Sequence, residues 1–286
     1  MLAEHPKPFW LYPNLLSLDA PLVAVAWLHI FAKTWRLGYL PWQAPAILAL
    51  GVWVIYVADR VLDGSMLSGM PAKLKPRHRF HHAHQRALGL GVGVAMLAAL
   101  VLVLTKMPMT IYRHLLPAGV LVAAYFGMSL LTSQESGEVP ITKNVLGGVV
   151  FAFGTAMMAH IYRWEYTIFD MLMSREFKCF AALCILNITA IDVWEHTSRA
   201  ADPEIGAKYE LALTLPLTLL GAAALLFALL DDQQSTRPFF YAVLTGAALL
   251  YILNRMRSRF SLDGLRVLAD VAMLVPVLVF WAASGG

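Results

Sequence analysis

Two groups of acidic side chains are placed to hold a divalent cation. In the run Tyr56-Val-Ala-Asp59-Arg60-Val-Leu-Asp63-Gly64 the aspartates are four apart, which puts them on one face of a helix. Like charges on one face repel. Gly64 marks a helix C-terminus, where the macrodipole disfavours anions. Both local terms are unfavourable, so a positive group is expected to offset them. Mg²⁺ suits the donors, because it takes one or two protein carboxylates and fills its shell with water and phosphate oxygens. The plainer alternative is a solvated pair neutralised by Arg60 and the basic loop that follows. The second group is Asn187-Ile-Thr-Ala-Ile-Asp192-Val-Trp-Glu195-His196, where Asp192, Glu195 and His196 fall at i, i+3 and i+4, again one face. The two groups could hold metal ions on either side of one diphosphate. Between them lies Lys73-Leu-Lys75-Pro-Arg77-His78-Arg79-Phe-His81-His82-Ala-His84-Gln-Arg86. Arg77, Arg79 and Arg86 are the phosphate-binding residue type, although a basic loop attracted to anionic lipid has the same composition.

The elements that must carry these groups follow from composition. Of 286 residues 59% are hydrophobic and 14% charged, against about 45–50% and about 25% in soluble domains. Mean hydropathy is +0.64. A disordered chain, a coiled coil and an ordinary cytosolic enzyme are excluded. A spanning helix needs about 20 mostly apolar residues. Such runs occur at 15–33, 43–63, 87–106, 114–132, 143–163, 177–196, 209–230, 238–255 and 264–282. The expected fold is therefore all-α, a polytopic bundle of nine transmembrane helices forming a single domain over 1–286. The start, Met1 to Trp10, lacks a basic region followed by a compact apolar core, so no cleavable signal is expected.

Of the 22 Lys and Arg, fourteen fall on the N-terminal side of this topology and eight on the other. That side is expected to be cytoplasmic, in the cell (inner) membrane. The formal charge of +4 reads as loop orientation, with membrane lipid and not nucleic acid as the partner. The second and sixth helices both end on this face, so the two acidic groups share one compartment. Lys143 opens the fifth helix there, where it could reach a phosphate or snorkel to the interface.

The chain resembles the UbiA-type intramembrane prenyltransferase superfamily over nearly its whole length. The resemblance rests on nine spans, aspartate motifs closing the second and sixth helices, and the segment Lys143-Asn-Val-Leu-Gly147-Gly-Val-Val-Phe-Ala-Phe-Gly154-Thr. Asp59 and Asp63 match the last two aspartates of the family pattern N-D-x-x-D-x-x-x-D, while Ile55 and Tyr56 stand at its first two positions. Asp192 matches the first aspartate of the second motif; His196 stands at the other, with Glu195 beside it. Ser17-Leu-Asp19-Ala-Pro21 replaces an Arg-Pro element near the start. The resemblance implies an enzyme that uses Mg²⁺ to transfer an isoprenoid chain from a polyprenyl diphosphate to an acceptor, which could be aromatic. Asp59, Asp63 and Asp192 would be catalytic and, with Glu195 and His196, would hold metal. Arg77, Arg79, Arg86 and Lys143 would bind the diphosphate, and Tyr56, one turn before Asp59, would face the developing cation.

Two other readings compete. His78-Arg-Phe-His81-His82 has the H-x-x-H-H form of membrane di-iron lipid oxidases, and imidazole suits iron; no second box is present. A catalytically silent lipid-binding membrane protein is the other. Asp19 and Asp270 lie inside spans and should face the bundle interior, Asp270 pairing with Arg266 four residues earlier. Cys179 and Cys184 sit in an apolar run and read as packing.

Overall fold

The computed structural model describes residues 9–66, 84–132, 141–198, 203–231 and 235–285, and only the backbone of 63–66, 131–132 and 203–209. Among the described residues every regular element is helical. The long helices are α1 (Asp19–Thr34), α2 (Gln43–Met66), α3 (Gln85–Lys106), α4 (Ile111–Thr132), α5 (Ile141–His160), α6 (Arg175–Thr197), α7 (Pro203–Leu229), α8 (Arg237–Arg255) and α9 (Leu262–Ala283). Eight of them, α2 to α9, are long and apolar enough to cross a membrane. Broad apolar faces point outward, among them Leu90, Val94, Leu97 and Leu104 on α3. Exposed apolar area of this kind marks a surface that meets lipid or another protein, and eight helices of this length and composition suggest a membrane protein.

The expected first span, 15–33, is not one straight helix. A short stretch, Phe9–Leu15, meets α1 at 77°. The break falls at Ser17, whose φ of 57° lies in the left-handed region. Arg60 explains how the break is held. It is buried, and its guanidinium donates to the Asn14 carbonyl and, at 2.8 Å, to Ser17 Oγ. A positive charge at the carbonyl end of a short helix is favourable. Asp59 and Arg60 are neighbours in sequence but point about 100° apart around the helix. Arg60 thus serves the break, and Asp59 is left for another wall.

The core lies among α1, α5, α6, α8 and α9. Trp27 of α1 stacks on Phe180 of α6 with centroids 4.4 Å apart, and Phe31 packs on Phe239 of α8 at 5.1 Å. Trp27 Nε1 donates to the Met273 carbonyl of α9 at 2.8 Å. The indole nitrogen thus has a partner, as buried polar groups require. α5 and α6 approach closely because of Gly148. A Cβ there would lie 2.6 Å from the Ile185 backbone nitrogen. Ser174 and Ser261 cap α6 and α9, each accepting from the backbone N–H three residues on, Phe177 at 3.2 Å and Gly264 at 3.1 Å. These caps satisfy donors that a helix start would otherwise leave unpaired.

Candidate functional site

A cavity of about 790 Å³ runs between α2, α4, α5 and α6, with the break before α1 and the start of α9 closing one side. Its ends differ in chemistry. Where α2, α4 and α6 finish and α5 and α9 begin, the wall carries Asp59, Lys143, Asp192, Glu195, His196 and Arg266. Further in, it is formed by Ile47, Leu48, Phe153, Met157 and Met158. From Asp59 to Ile47 is twelve helical residues, roughly 18 Å at the α-helical rise.

At the charged end, Lys143 Nζ lies 3.4 Å from Asp59 Oδ1, and Ser129 Oγ donates to the same oxygen at 3.2 Å. Lys143 also stands 5.7 Å from the centre of the Tyr125 ring. Both ions are about one-fifth exposed, so water screens the pair less than at a surface. Across the cavity, Glu195 Oε1 receives Arg266 through Nη2 at 2.7 Å and Nε at 2.9 Å. Arg266 also bonds Asp263 one turn earlier. Glu195 sits at the C-terminal end of α6 and Arg266 near the N-terminus of α9, each at the helix end its charge disfavours. Their pairing offsets both terms.

Arg266 is therefore not the partner of Asp270, as the spacing along α9 suggested. Asp270 instead meets the break before α1. Asn14 Nδ2 donates to Asp19 Oδ2 and lies 3.5 Å from Asp270 Oδ2. Asp19 Oδ1 also takes the Ala20 N–H at 3.0 Å. Asp19 and Asp270 both face the bundle interior as expected of charged groups in spans, on the wall of this same cavity.

Of the residues singled out in the sequence, Tyr56, Asp59, Lys143, Asp192, Glu195 and His196 all line the one cavity. Tyr56 packs edge-on to Phe151 with centroids 6.4 Å apart. Arg86 is exposed on the first turn of α3 and is not among the residues lining the cavity. Arg77, Arg79 and the histidines His78, His81 and His82 lie outside the described residues, as does the side chain of Asp63. Among the described residues no group of three or more His, Cys, Asp or Glu is placed to hold a metal ion.

Sequence reading missed Asn14 and Arg266 as parts of this wall, and Ser129 as the hydroxyl that donates to Asp59. Ser129 and Asn14 carry no spacing signal; only their bonds to Asp59 and Arg60 of α2 bring them in. Arg266 was visible as an ionisable residue in a span, but its partner lies 71 residues away. No family model matches the chain, and neither a curated protein nor a solved structure matches it.

Proposed function

We propose that the chain is an intramembrane prenyltransferase, moving an isoprenoid chain from a polyprenyl diphosphate to an acceptor with the help of Mg²⁺. One observation carries the reading: the charged wall and the deep apolar wall belong to a single cavity. A diphosphate needs cations and a prenyl tail needs apolar surface, and this cavity offers both in one continuous space. Ligand sites commonly combine an apolar lining with a few convergent polar groups.

The residues divide the work. Lys143 and Arg266 present positive charge to the departing diphosphate, one held by Asp59 and the other by Glu195. Fixed charges of this sort stabilise charge that develops on a leaving group without reorganising. Asp59 and Asp192 fit Mg²⁺, since their oxygens are hard donors and the ion needs only one or two protein carboxylates when phosphate fills other positions. Mg²⁺ there would neutralise negative charge on the leaving oxygens. His196 adds a nitrogen that hard cations favour less. Tyr56 and Phe151 place ring surface beside the path of the reacting carbon, where a π face favours positive charge. The apolar depth holds the tail and keeps water from the reactive centre. The positive-inside balance favours a cytoplasmic charged face.

The test is binding of geranylgeranyl diphosphate to purified protein, with and without Mg²⁺, in wild type, Asp59→Asn and Asp192→Asn. The expected result is Mg²⁺-dependent binding by wild type and its loss in both variants while each stays folded and monodisperse. Normal binding by both variants would remove the metal-bridge argument. No binding by folded wild type would leave a lipid-binding protein without a diphosphate site.

A further inference from the structure

At the end of the bundle opposite the charged one, two histidines from different helices meet in the interior. His114 is the fourth residue of α4 and His160 the last of α5. They are 4% and 1% exposed. Their ring centres lie 5.5 Å apart, with the planes turned 66° from each other. Neither belongs to the wall of the large cavity, so diphosphate and prenyl binding leave both without a role. Two bonds outside the rings already tie the chain before α4 to the chain after α5. Thr110 Oγ1 donates to the Ile161 carbonyl at 2.9 Å, and the Tyr162 hydroxyl meets Met107 Sδ at 3.5 Å.

His114 Nδ1 lies 2.9 Å from the Thr110 carbonyl oxygen. A carbonyl only accepts, so Nδ1 carries the hydrogen and Nε2 of the neutral ring presents a bare lone pair. That nitrogen is buried and has no partner. In His160 neither ring nitrogen has one; the Thr167 backbone acts on this ring without closing a hydrogen bond. Buried polar atoms in native proteins are paired with protein, water or ligand. Three orphaned ring nitrogens in one contact are a departure that apolar packing does not explain. A ring held at Nδ1 by a backbone carbonyl, with Nε2 left free, is oriented as proteins orient an imidazole for a metal. A metal bonded about 2 Å from a ring nitrogen lies roughly 3 Å from the ring centre, so two such rings on one ion have centres up to roughly 6 Å apart. The pair falls within that limit.

We propose that His114 and His160 hold one copper(I) ion, an internal clip between the start of α4 and the end of α5. Imidazole nitrogen suits copper, zinc, iron and nickel. Structural zinc almost always takes four ligands, and among the described residues no third His, Cys, Asp or Glu joins the pair. Copper(I), a soft monovalent ion with a filled d shell, is satisfied by two neutral nitrogens. Charge points the same way. Arg113, Arg163 and Asp170 act on the two rings, two positive groups against one negative. A divalent ion on neutral ligands would add two positive charges to the bundle interior and copper(I) adds one, where buried charge is costly. The ion stays copper(I) and no electron is transferred. It sits at the far end from the diphosphate site and takes no part in prenyl transfer, so its presence does not depend on the prenyltransferase reading.

The test uses the full chain in detergent, purified without an oligohistidine tag and loaded with copper(I) under anaerobic conditions. Copper retained against the chelator bicinchoninate is counted for wild type, His114→Ala and His160→Ala. Each variant is expected to retain one equivalent fewer than wild type. Copper taken by other histidines, or by Cys179 and Cys184, is common to all three and cancels in the difference. Copper(I) should also raise the melting temperature of wild type by several degrees and leave that of both variants unchanged. His160→Phe fills the space of the ring without a nitrogen, so it keeps the fold if His160→Ala loses it, and it should lack the same equivalent. His160→Met supplies a soft sulfur donor; it should keep the equivalent and add a copper–sulfur distance to the X-ray absorption spectrum. Equal copper in wild type and in a folded His114→Ala, His160→Ala or His160→Phe overturns the proposal. A one-equivalent difference found with Zn²⁺ but not with copper(I) overturns it as well.

Discussion

At the scale of single residues, the two ion pairs of the cavity differ in what their loss should do. Glu195 and Arg266 are buried, with side chains 5% and 7% exposed. Removing one partner of a buried pair leaves an uncompensated charge and typically costs about 3–5 kcal/mol, whereas an apolar pair of similar volume can be neutral. Arg266→Met is therefore expected to lower thermal stability strongly, and Glu195→Leu with Arg266→Met to recover most of it, measured as a double-mutant cycle of melting temperatures. Asp59 and Lys143 are more exposed and face the cavity. Lys143→Met should change stability by about 1 kcal/mol or less and should weaken geranylgeranyl diphosphate binding at least tenfold. Unchanged affinity in that variant would mean that Lys143 serves the fold alone.

At the scale of elements, the cavity depends on how closely α5 can approach α6. Gly148 is the point of contact, where an added Cβ would meet Ile185 at 2.6 Å, backbone included. Backbone cannot swing aside as a side-chain tip can. Gly148→Ala should force the two helices apart, at a cost of about 1–3 kcal/mol. A drop in melting temperature of several degrees, with donor binding weakened, is the expected outcome. Gly51, whose added Cβ would meet nothing within 4 Å, is the control: Gly51→Ala should leave stability unchanged or raised.

A second element-scale prediction concerns the turn at the far end of the bundle. The helical turn Ile168–Met173 opens with a capping box, in which Asp170 Oδ2 accepts from the Thr167 N–H and hydroxyl, both at 2.7 Å. These bonds hold the exposed Asp170 carboxyl below its ordinary range. A carboxylate with a lowered folded value adds stability above its unfolded value, near about 3.9, and loses it as pH falls through the folded one. The melting-temperature gap between wild type and Asp170→Ala should be full at neutral pH and narrow on acidification below about pH 4.

At the scale of the whole molecule, the charged residues of the cavity gather at one end of the bundle because successive helices alternate in direction. α2 and α6 finish at that end, and α5 and α9 begin there. His84, exposed before α3, lies at the charged end, and Trp164, exposed after α5, lies at the opposite one. The topology is read by adding a single thiol at either place. Both native cysteines are buried, so background labelling is low. His84→Cys should react with a membrane-impermeant maleimide only from the cytoplasmic side, and Trp164→Cys only from the other. The reverse pattern would put the charged mouth outside the cell.

The spacing of Asp59, of Asp192 with Glu195 and His196, and the length of the apolar runs are properties of the chain alone. Helical period and bilayer thickness convert them directly into faces and spans, so the helices of the bundle and the acidic ends were legible without coordinates. What was not legible was partnership. Asp270 has Arg266 one turn away, yet packing gives Arg266 to Glu195 and brings Asp270 to Asn14 and Asp19 across the bundle. Arg60 sits between two aspartates in sequence and is used to hold a helix break. The break at the head of the first span was hidden for the same reason, because the bend at Ser17 is stabilised by a side chain from another helix. Local periodicity determines which face a residue occupies. Which other face it meets depends on helix crossings and on close contacts such as Gly148 with Ile185, and these exist only once the bundle has packed.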